Sequence, residues 1–222
     1  MEFKTNFLEV KKTARYTTFG EITEKTKYFW FALHGSNMLC EQMVYKFRDF
    51  DPAEHFVVSP EGLSRFYDKG FGGDVVAAWM TSRDRLKEID DFSYYLSKLY
   101  DKYTSQLPSD CTKVILGFSQ GGTSAFRWMH QNAVAVDKII AYSSWLPEDI
   151  NLKESKTNLS KAEIIYTYGE QDQYLTSERL DAMKSIVSAN ELSIEYRPHT
   201  GDHRVNRENL TAIAKQYKEN RS

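Results

Sequence analysis

A serine, an acid and a histidine occur along the chain in positions that suit nucleophilic catalysis. Ser119 lies in segment 117–121, Gly-Phe-Ser-Gln-Gly, which fits the pattern G-x-S-x-G, and Asp172 and His203 follow it in that order. A serine hydroxyl is a poor nucleophile at neutral pH, so it needs a histidine to take its proton and an acid to orient that histidine. Brought together, the three side chains could attack an acyl carbon.

Segment 117–121 has two interpretations. An ordinary turn from strand to helix, with the serine as a helix cap, would give the same five letters. The context favours a nucleophile elbow, because an apolar run over residues 114–116 precedes the turn and Phe126 and Met129 lie on one face of the helix predicted after it. Glycines flank the serine of such an elbow because side chains there would collide with the adjacent strand and helix.

Strand and helix patterns alternate along most of the chain. Strands are predicted over residues 28–33, 55–59, 114–116, 138–143, 164–168 and 192–196, and a β-rich stretch over residues 7–19 is interpreted as the first arm of a hairpin with residues 28–33. This order predicts an α/β fold, specifically a mostly parallel sheet of about seven or eight strands with an N-terminal antiparallel hairpin and helices on both faces. A single domain over residues 1–222, without a separate cap domain, is expected.

Two further segments carry specific expectations. Residues 60–80 hold four glycines and several aromatic side chains, and they are predicted to form a long irregular loop with a functional role. A long helix is expected to begin at Ser82 or Arg83, with a buried stripe formed by Leu86, Ile89, Phe92, Leu96, Leu99 and Tyr103.

Ligands of parallel α/β sheets bind beyond the carboxyl ends of the strands, and the candidate residues follow predicted strands. Ser36 follows the strand over residues 28–33, and Gln120 opens the helix after Ser119. Their backbone N–H groups are the natural pair to bind the oxyanion of a tetrahedral intermediate.

Each candidate has rivals of the same residue type. Asp202 competes with Asp172 as the acid, but it adjoins His203, and adjacent side chains on an extended loop diverge. The rival histidines are His34, His55, His130 and His199. His130 falls within the elbow helix and His55 begins a strand, which indicates structural roles for both. His203 is favoured over His199, which precedes the turn at Gly201.

Composition excludes several classes of function. The chain has 222 residues, 41% hydrophobic residues, 14% aromatic residues and a formal net charge of −2, so it lacks the basic excess typical of nucleic-acid binding. Neither a signal peptide nor an apolar run long enough to cross a bilayer is present, so no stable membrane insertion and a cytoplasmic location are expected. Cys40 and Cys111 are predicted to be reduced structural thiols, and no metal or cofactor is expected.

Taken together, these motifs resemble those of the α/β-hydrolase superfamily, and within it the small carboxylesterase/phospholipase/acyl-protein-thioesterase group. The resemblance covers nearly the whole chain. Besides the elbow, the matching pieces are Leu-His-Gly at 33–35, Ser-Pro-Glu-Gly-Leu at 59–63, Ala-Trp-Met at 78–80, Tyr-Gly at 168–169 with Asp172, and Gly201 with His203.

The resemblance implies a metal-free serine hydrolase acting on small carboxylic esters or thioesters. Ser119, Asp172 and His203 would be its catalytic triad, and Ser36 and Gln120 would form its oxyanion hole. A homodimer is expected at the level of the family. Where the family usually has a glycine-containing loop after His-Gly, this chain has Ser-Asn-Met at 36–38.

Four residues are predicted to contact the substrate. Trp145 stands where the family commonly has a small residue, so its indole would narrow the acyl pocket and favour short acyl chains. Phe71, Trp79 and Met80 belong to the segment over residues 60–80, whose aromatic side chains either form an edge of the core or cover the site as a lid.

Other functions stay open at this point. The same triad would serve an acyl-thioesterase, a lysophospholipase, an amidase or a peptidase, because a fold does not select the substrate. A hydrolase fold without catalysis, serving as a binding module, is the alternative from another class. Such proteins usually lose a triad member, and all three candidates are present here.

Overall fold

The chain forms a seven-stranded sheet and a separate two-stranded sheet. The computed structural model describes residues 2–219. The strands are β1 (Tyr16–Phe19), β2 (Tyr28–Leu33), β3 (His55–Pro60), β4 (Ser64–Tyr67), β5 (Val75–Ala78), β6 (Thr112–Phe118), β7 (Lys138–Tyr142), β8 (Glu163–Gly169) and β9 (Ile194–His199). The large sheet has the order β1-β3-β2-β6-β7-β8-β9, and the small sheet pairs β4 with β5.

Helices cover both faces of the large sheet, as predicted. They are α1 (Cys40–Val44), α2 (Arg85–Thr104), α3 (Gln120–Gln131), α4 (Ser177–Ala189) and α5 (Arg207–Glu219). Alternate residues of the central strands face opposite layers of helices. Phe31 on β2 packs in the layer that holds α2, α3 and α4, whereas Trp30 packs in the layer that holds α1 and α5. Every residue of β2 is buried, which explains its uninterrupted apolar sequence.

The predicted antiparallel pairing near the N-terminus is present, but its partner strand differs from the prediction. β1 pairs antiparallel with β3 and not with β2. Both edges of β2 are already occupied, because β3 and β6 pair with it in parallel. The first strand is also shorter than the β-rich stretch, since β1 begins at Tyr16 and the side chains of Phe7 and Leu8 are exposed.

Residues 60–80 are more regular than predicted. β4 and β5 form an antiparallel pair in register from Ser64 opposite Ala78 to Tyr67 opposite Val75, and the turn between them carries Phe71. Much of the segment that was expected to be an irregular loop is therefore a hydrogen-bonded pair of strands. This strand pair brings residues 78–80 back to the large sheet.

The long helix begins two to three residues later than predicted. α2 starts at Arg85, and the Leu86 side chain, expected in the buried stripe, is exposed. Ile89, Phe92, Leu96 and Leu99 are the members of that stripe that are buried. The first turn of the helix therefore extends beyond the core.

Among the helices formed by residues 2–219, none is both long and apolar enough to span a membrane.

His55 has the structural role predicted for it. Its ring is buried at the start of β3, stacks on the Tyr28 ring at a centroid distance of 4.9 Å, and accepts a hydrogen bond from the Trp30 indole at Nδ1 over 3.0 Å. Burial lowers the pKa of His55 to about 4. The folded protein therefore holds this ring neutral at pH values where the unfolded chain would protonate it.

We expect His55 to make the fold acid-sensitive. Between pH 6.5 and pH 4 the unfolded chain binds a proton at this position that the native state does not, so stability must fall as the pH falls through that range. The loss should approach roughly 3 kcal/mol, at about 1.4 kcal/mol for each pKa unit.

Denaturant unfolding across this pH range tests the expectation. The slope of unfolding free energy against pH should be smaller in His55→Asn, which replaces the titrating ring by a neutral amide. An unchanged slope in the variant would show that other groups cause the acid sensitivity.

Candidate active site

Ser119 occupies a sharp turn between β6 and α3. Its backbone has φ of 51° and ψ of −123°, a strained conformation for a residue with a side chain. The Ser119 N–H donates to the carbonyl of Tyr142 at the end of β7 over 2.9 Å, which fixes the turn to the sheet. The turn thus has the local geometry of the elbow predicted from segment 117–121.

The glycines on either side of Ser119 permit close packing of strand and helix. A Cβ atom at Gly117 would lie 2.4 Å from the Cα of Gly122, and one at Gly121 would lie 2.4 Å from the carbonyl oxygen of His34. Backbone atoms occupy both places, so any larger residue would push α3 away from β6 or β2. The G-x-S-x-G spacing is therefore a steric requirement of this turn.

The structure brings Ser119, Asp172 and His203 together beyond the carboxyl ends of three strands. The Nδ1 atom of His203 lies 2.6 Å from Oδ2 of Asp172, and its Nε2 atom lies 3.0 Å from Oγ of Ser119. An ionised carboxylate can only accept, so Nδ1 carries the proton and Nε2 is left to accept from the serine hydroxyl. This tautomer is the one that a general base facing Ser119 requires.

Neighbouring groups fix the side chains of Asp172 and His203 in this hydrogen-bond chain. The second carboxylate oxygen of Asp172 accepts from the backbone N–H of Tyr174 over 2.9 Å, and the Asp172 side chain is buried. The His203 ring contacts the rings of Phe118, at a centroid distance of 5.0 Å, and Tyr174, at 4.7 Å. The imidazole is therefore fixed in plane by hydrogen bonds and out of plane by aromatic contacts.

The rival residues are engaged elsewhere. The Asp202 carboxylate is exposed and forms an ion pair with Arg204 over 3.3 Å. The His199 ring bonds to the Tyr142 hydroxyl through Nε2 over 2.8 Å and to the Thr200 carbonyl through Nδ1. Neither rival belongs to the hydrogen-bond chain that includes Ser119.

Ser36 and Gln120 line the same cavity as Ser119 and His203. Gln120 is the first residue of α3, where the backbone N–H groups of a helix have no intrahelical acceptor. Next to Ser36, the Asn37 N–H donates to the Ala77 carbonyl over 3.0 Å and is not free to bind an oxyanion. The backbone N–H groups of Ser36 and Gln120 therefore remain the two predicted donors to an oxyanion.

The Gln120 side chain joins the elbow to the end of β5. Its Oε1 atom accepts from the Trp79 N–H over 2.9 Å, and its Nε2 atom donates to the Met80 carbonyl over 2.8 Å. Sequence reasoning assigned Gln120 a role only through its backbone. The side chain has a separate role, because it fixes segment 79–80 against the start of α3.

His34 supports the loop after β2, a role that sequence reasoning missed. Its Nδ1 donates to the Gly35 carbonyl over 2.7 Å and its Nε2 accepts from the Gly62 N–H over 2.9 Å. The Trp79 indole donates to the His34 carbonyl over 2.8 Å. Burial lowers the pKa of His34, which keeps the ring neutral and Nε2 able to accept. The position of His34 directly after a buried strand was the available signal.

A cavity of about 840 Å³ opens beside Ser119. Trp145, which the sequence predicts to contact the substrate, lies on its wall, and further parts of the wall come from Tyr174, Leu175, Glu178, Arg179 and Ala182. These last residues were not predicted from the sequence. The one signal for them was the position of Tyr174 two residues after Asp172.

Three of the predicted substrate contacts lie away from this wall. Within residues 2–219, the lining of the cavity does not include Phe71, Trp79 or Met80. The Trp79 side chain is 1% exposed and its ring packs against Phe92, so it belongs to the core. Phe71 is fully exposed in the turn after β4, and Met80 meets the elbow through its carbonyl group.

Within residues 2–219, one cluster of potential metal ligands lies outside the cavity. Ligand atoms of Cys40, Glu41 and Glu61 lie within 4.8 Å of one another. The Arg15 guanidinium donates to Glu41 over 3.0 Å and to Glu61 over 2.9 Å, so a cation already occupies this cluster. Burial raises the pKa of the Cys40 thiol to about 12, which keeps it protonated and a poor metal ligand.

The comparison with solved structures supports the fold. Esterase PE8 is 16% identical over 94% of this chain and 99% of its own, with a TM-score of 0.70. Acyl-protein thioesterase 2 of Zea mays is 18% identical over 94% and 99% of the two chains, with a TM-score of 0.71. The carboxylesterase of Bacillus cereus is 13% identical over 93% and 94%, with a TM-score of 0.64.

Sequence comparison supplies the family. No curated protein matches the chain significantly. The model of the phospholipase/carboxylesterase family matches residues 49–220, which is most of the chain and contains Ser119, Asp172 and His203. The chain therefore belongs to the phospholipase/carboxylesterase family of α/β-hydrolases.

Proposed function

We propose that the protein is a serine hydrolase that cleaves small or short-chain carboxylic esters through an acyl-enzyme intermediate. The observation that carries the proposal is the continuous hydrogen-bond chain from Ser119 through His203 to Asp172. Membership of the phospholipase/carboxylesterase family supports hydrolase chemistry. The cavity beside Ser119 supplies room for a small ester.

The proposed reaction starts at the Ser119 hydroxyl. Its oxygen attacks the acyl carbon of the ester while Nε2 of His203 takes the proton, and Asp172 stabilises the imidazolium that forms. The N–H groups of Ser36 and Gln120 bind the negative oxygen of the tetrahedral intermediate. Collapse of the intermediate transfers the proton from Nε2 to the leaving alcohol. A water molecule, activated by the same nitrogen, then hydrolyses the acyl-enzyme.

Variants of the triad test this proposal. We expect Ser119→Ala and His203→Ala to abolish hydrolysis of p-nitrophenyl acetate above background. Asp172→Asn should lower kcat by about ten-thousandfold, because an amide can hold the imidazole in the wrong tautomer. Asp202→Asn is the matched control, since it makes the same change in the rival acid and should retain activity. Equal losses in the two aspartate variants would contradict the assignment.

The preference for short acyl chains is proposed from Trp145. Its indole lies on the cavity wall and donates through Nε1 to Oε1 of Glu148 over 2.6 Å, so the ring is held in place. A fixed bulky ring limits the length of chain that can lie beside Ser119.

Chain-length profiles of wild type and Trp145→Ala check this idea. With p-nitrophenyl esters from acetate to dodecanoate, kcat/KM of the wild type should fall as the chain lengthens. The variant should shift the profile toward longer chains by at least tenfold in the ratio of dodecanoate to acetate. Equal turnover of both esters by the wild type would refute the preference.

Acyl thioesters are the nearest alternative substrates. One of the similar structures is an acyl-protein thioesterase, and the proposed nucleophile, base and oxyanion donors would serve a thioester equally well. Comparing kcat/KM for an oxygen ester and the thioester of the same acyl group would decide between them.

A further inference from the structure

The outer part of the cavity combines carboxylates with aromatic rings. Glu148 and Trp145 come from the loop after β7, whereas Glu178 and Tyr174 come from the start of α4 and the loop before it. The two loops therefore each contribute one carboxylate and one ring to the wall. Because this wall belongs to the same cavity as Ser119 and His203, a substrate whose ester lies at Ser119 can place a second group against it.

In the part of the chain that the structure describes, the Glu148 carboxylate has a single side-chain partner, and that partner is uncharged. Its Oε1 atom accepts from the Trp145 indole, which aligns the ring beside the carboxylate. Within residues 2–219, Glu148 forms no ion pair, whereas the next residue, Asp149, pairs with Arg85 and Arg127. The charge of Glu148 is thus available to a ligand.

Glu178 is similar. It lies in the first turn of α4, and hydrogen bonds from its own backbone N–H and from Thr176 lower the pKa of its carboxyl, so it is ionised at neutral pH. It also forms no ion pair among the described residues. The adjacent Arg179 guanidinium donates instead to the Tyr174 carbonyl over 2.9 Å.

We propose that the cavity selects esters that carry a positively charged ammonium group. This inference rests on the proposed esterase function. Two carboxylates that form no ion pair within residues 2–219 favour a cation, and the aromatic rings of Trp145 and Tyr174 on the same wall attract a quaternary ammonium through their quadrupoles. Among the residues of segment 2–219 that line the cavity, Arg179 is the one side chain with a permanent positive charge, and the Asp172 carboxylate lies behind His203.

The solvent exposure of these side chains determines how strong the preference for a cationic ester should be. Glu148, Glu178 and Tyr174 are solvent-exposed, and exposed ion pairs and cation–π contacts are individually weak. Together they should favour a cationic ester over its neutral isostere by about tenfold in kcat/KM. The preference should shrink as salt is added, because the carboxylates lie where ions can screen them.

Matched esters test the proposal. Acetylcholine is compared with neohexyl acetate, in which carbon replaces the quaternary nitrogen, and with the anionic sulfonatoethyl acetate. A second pair places the charge on the acyl side, as p-nitrophenyl esters of a trimethylammonio acid and of its carbon isostere. The ratio of kcat/KM for the cationic and neutral members should be about ten in at least one pair. It should fall severalfold in Glu148→Gln and in Glu178→Gln.

Glu24→Gln is the charge control. It removes the same charge from an exposed residue before β2, at the opposite end of the parallel strands, and it should leave the ratio unchanged. Ratios near one in both pairs, or a preference for the sulfonate that is lost in Arg179→Gln, would overturn the proposal while leaving the esterase function intact. Absence of any hydrolysis, including that of p-nitrophenyl acetate, would instead refute the esterase function on which the inference depends.

Discussion

The close approach of β6 and α3 at Ser119 is the constraint on which the candidate site depends. Ser119 keeps its positive φ only because its N–H is bonded to the Tyr142 carbonyl and because Gly117 and Gly121 leave room for neighbouring backbone. The strain places the hydroxyl at the edge of the sheet and the Gln120 N–H at the start of the helix. The positions of nucleophile and oxyanion donor are therefore set by one turn.

The remaining parts of the site are held to that turn by hydrogen bonds of buried and half-buried groups. The Gln120 side chain fixes segment 79–80 against the elbow, and the neutral ring of His34 joins the loop after β2 to Gly62. On the other side, the Tyr174 N–H fixes Asp172 while its ring covers His203. Because a buried donor or acceptor that loses its partner destabilises the fold, these contacts couple the geometry of the site to the stability of the protein.

The sequence predicted what depends on local order and failed where partners are distant. Ser119, Asp172 and His203 follow the parallel strands β6, β8 and β9, whose carboxyl ends lie at one edge of the sheet, so their convergence follows from the topology. The pairing of β1 with β3 could not be predicted in this way, because a β-rich pattern identifies a strand but not the strand that pairs with it. Trp79 was assigned to the substrate site because an aromatic residue near a loop has the same pattern whether it faces the core or a ligand. The residues of α4 that line the cavity were not predicted from the sequence, because exposed helix residues show no apolar spacing that would identify them.

Reaction with a fluorophosphonate tests whether Ser119 is the nucleophile, because only a serine activated by its surroundings forms the adduct quickly. We expect one phosphonyl group on the peptide containing Ser119 in the native protein. We expect none in Ser119→Ala or in wild-type protein unfolded before treatment. A folded wild type that forms no adduct, or a Ser119→Ala variant that is labelled as fast as the wild type, would contradict the assignment of Ser119 as the nucleophile.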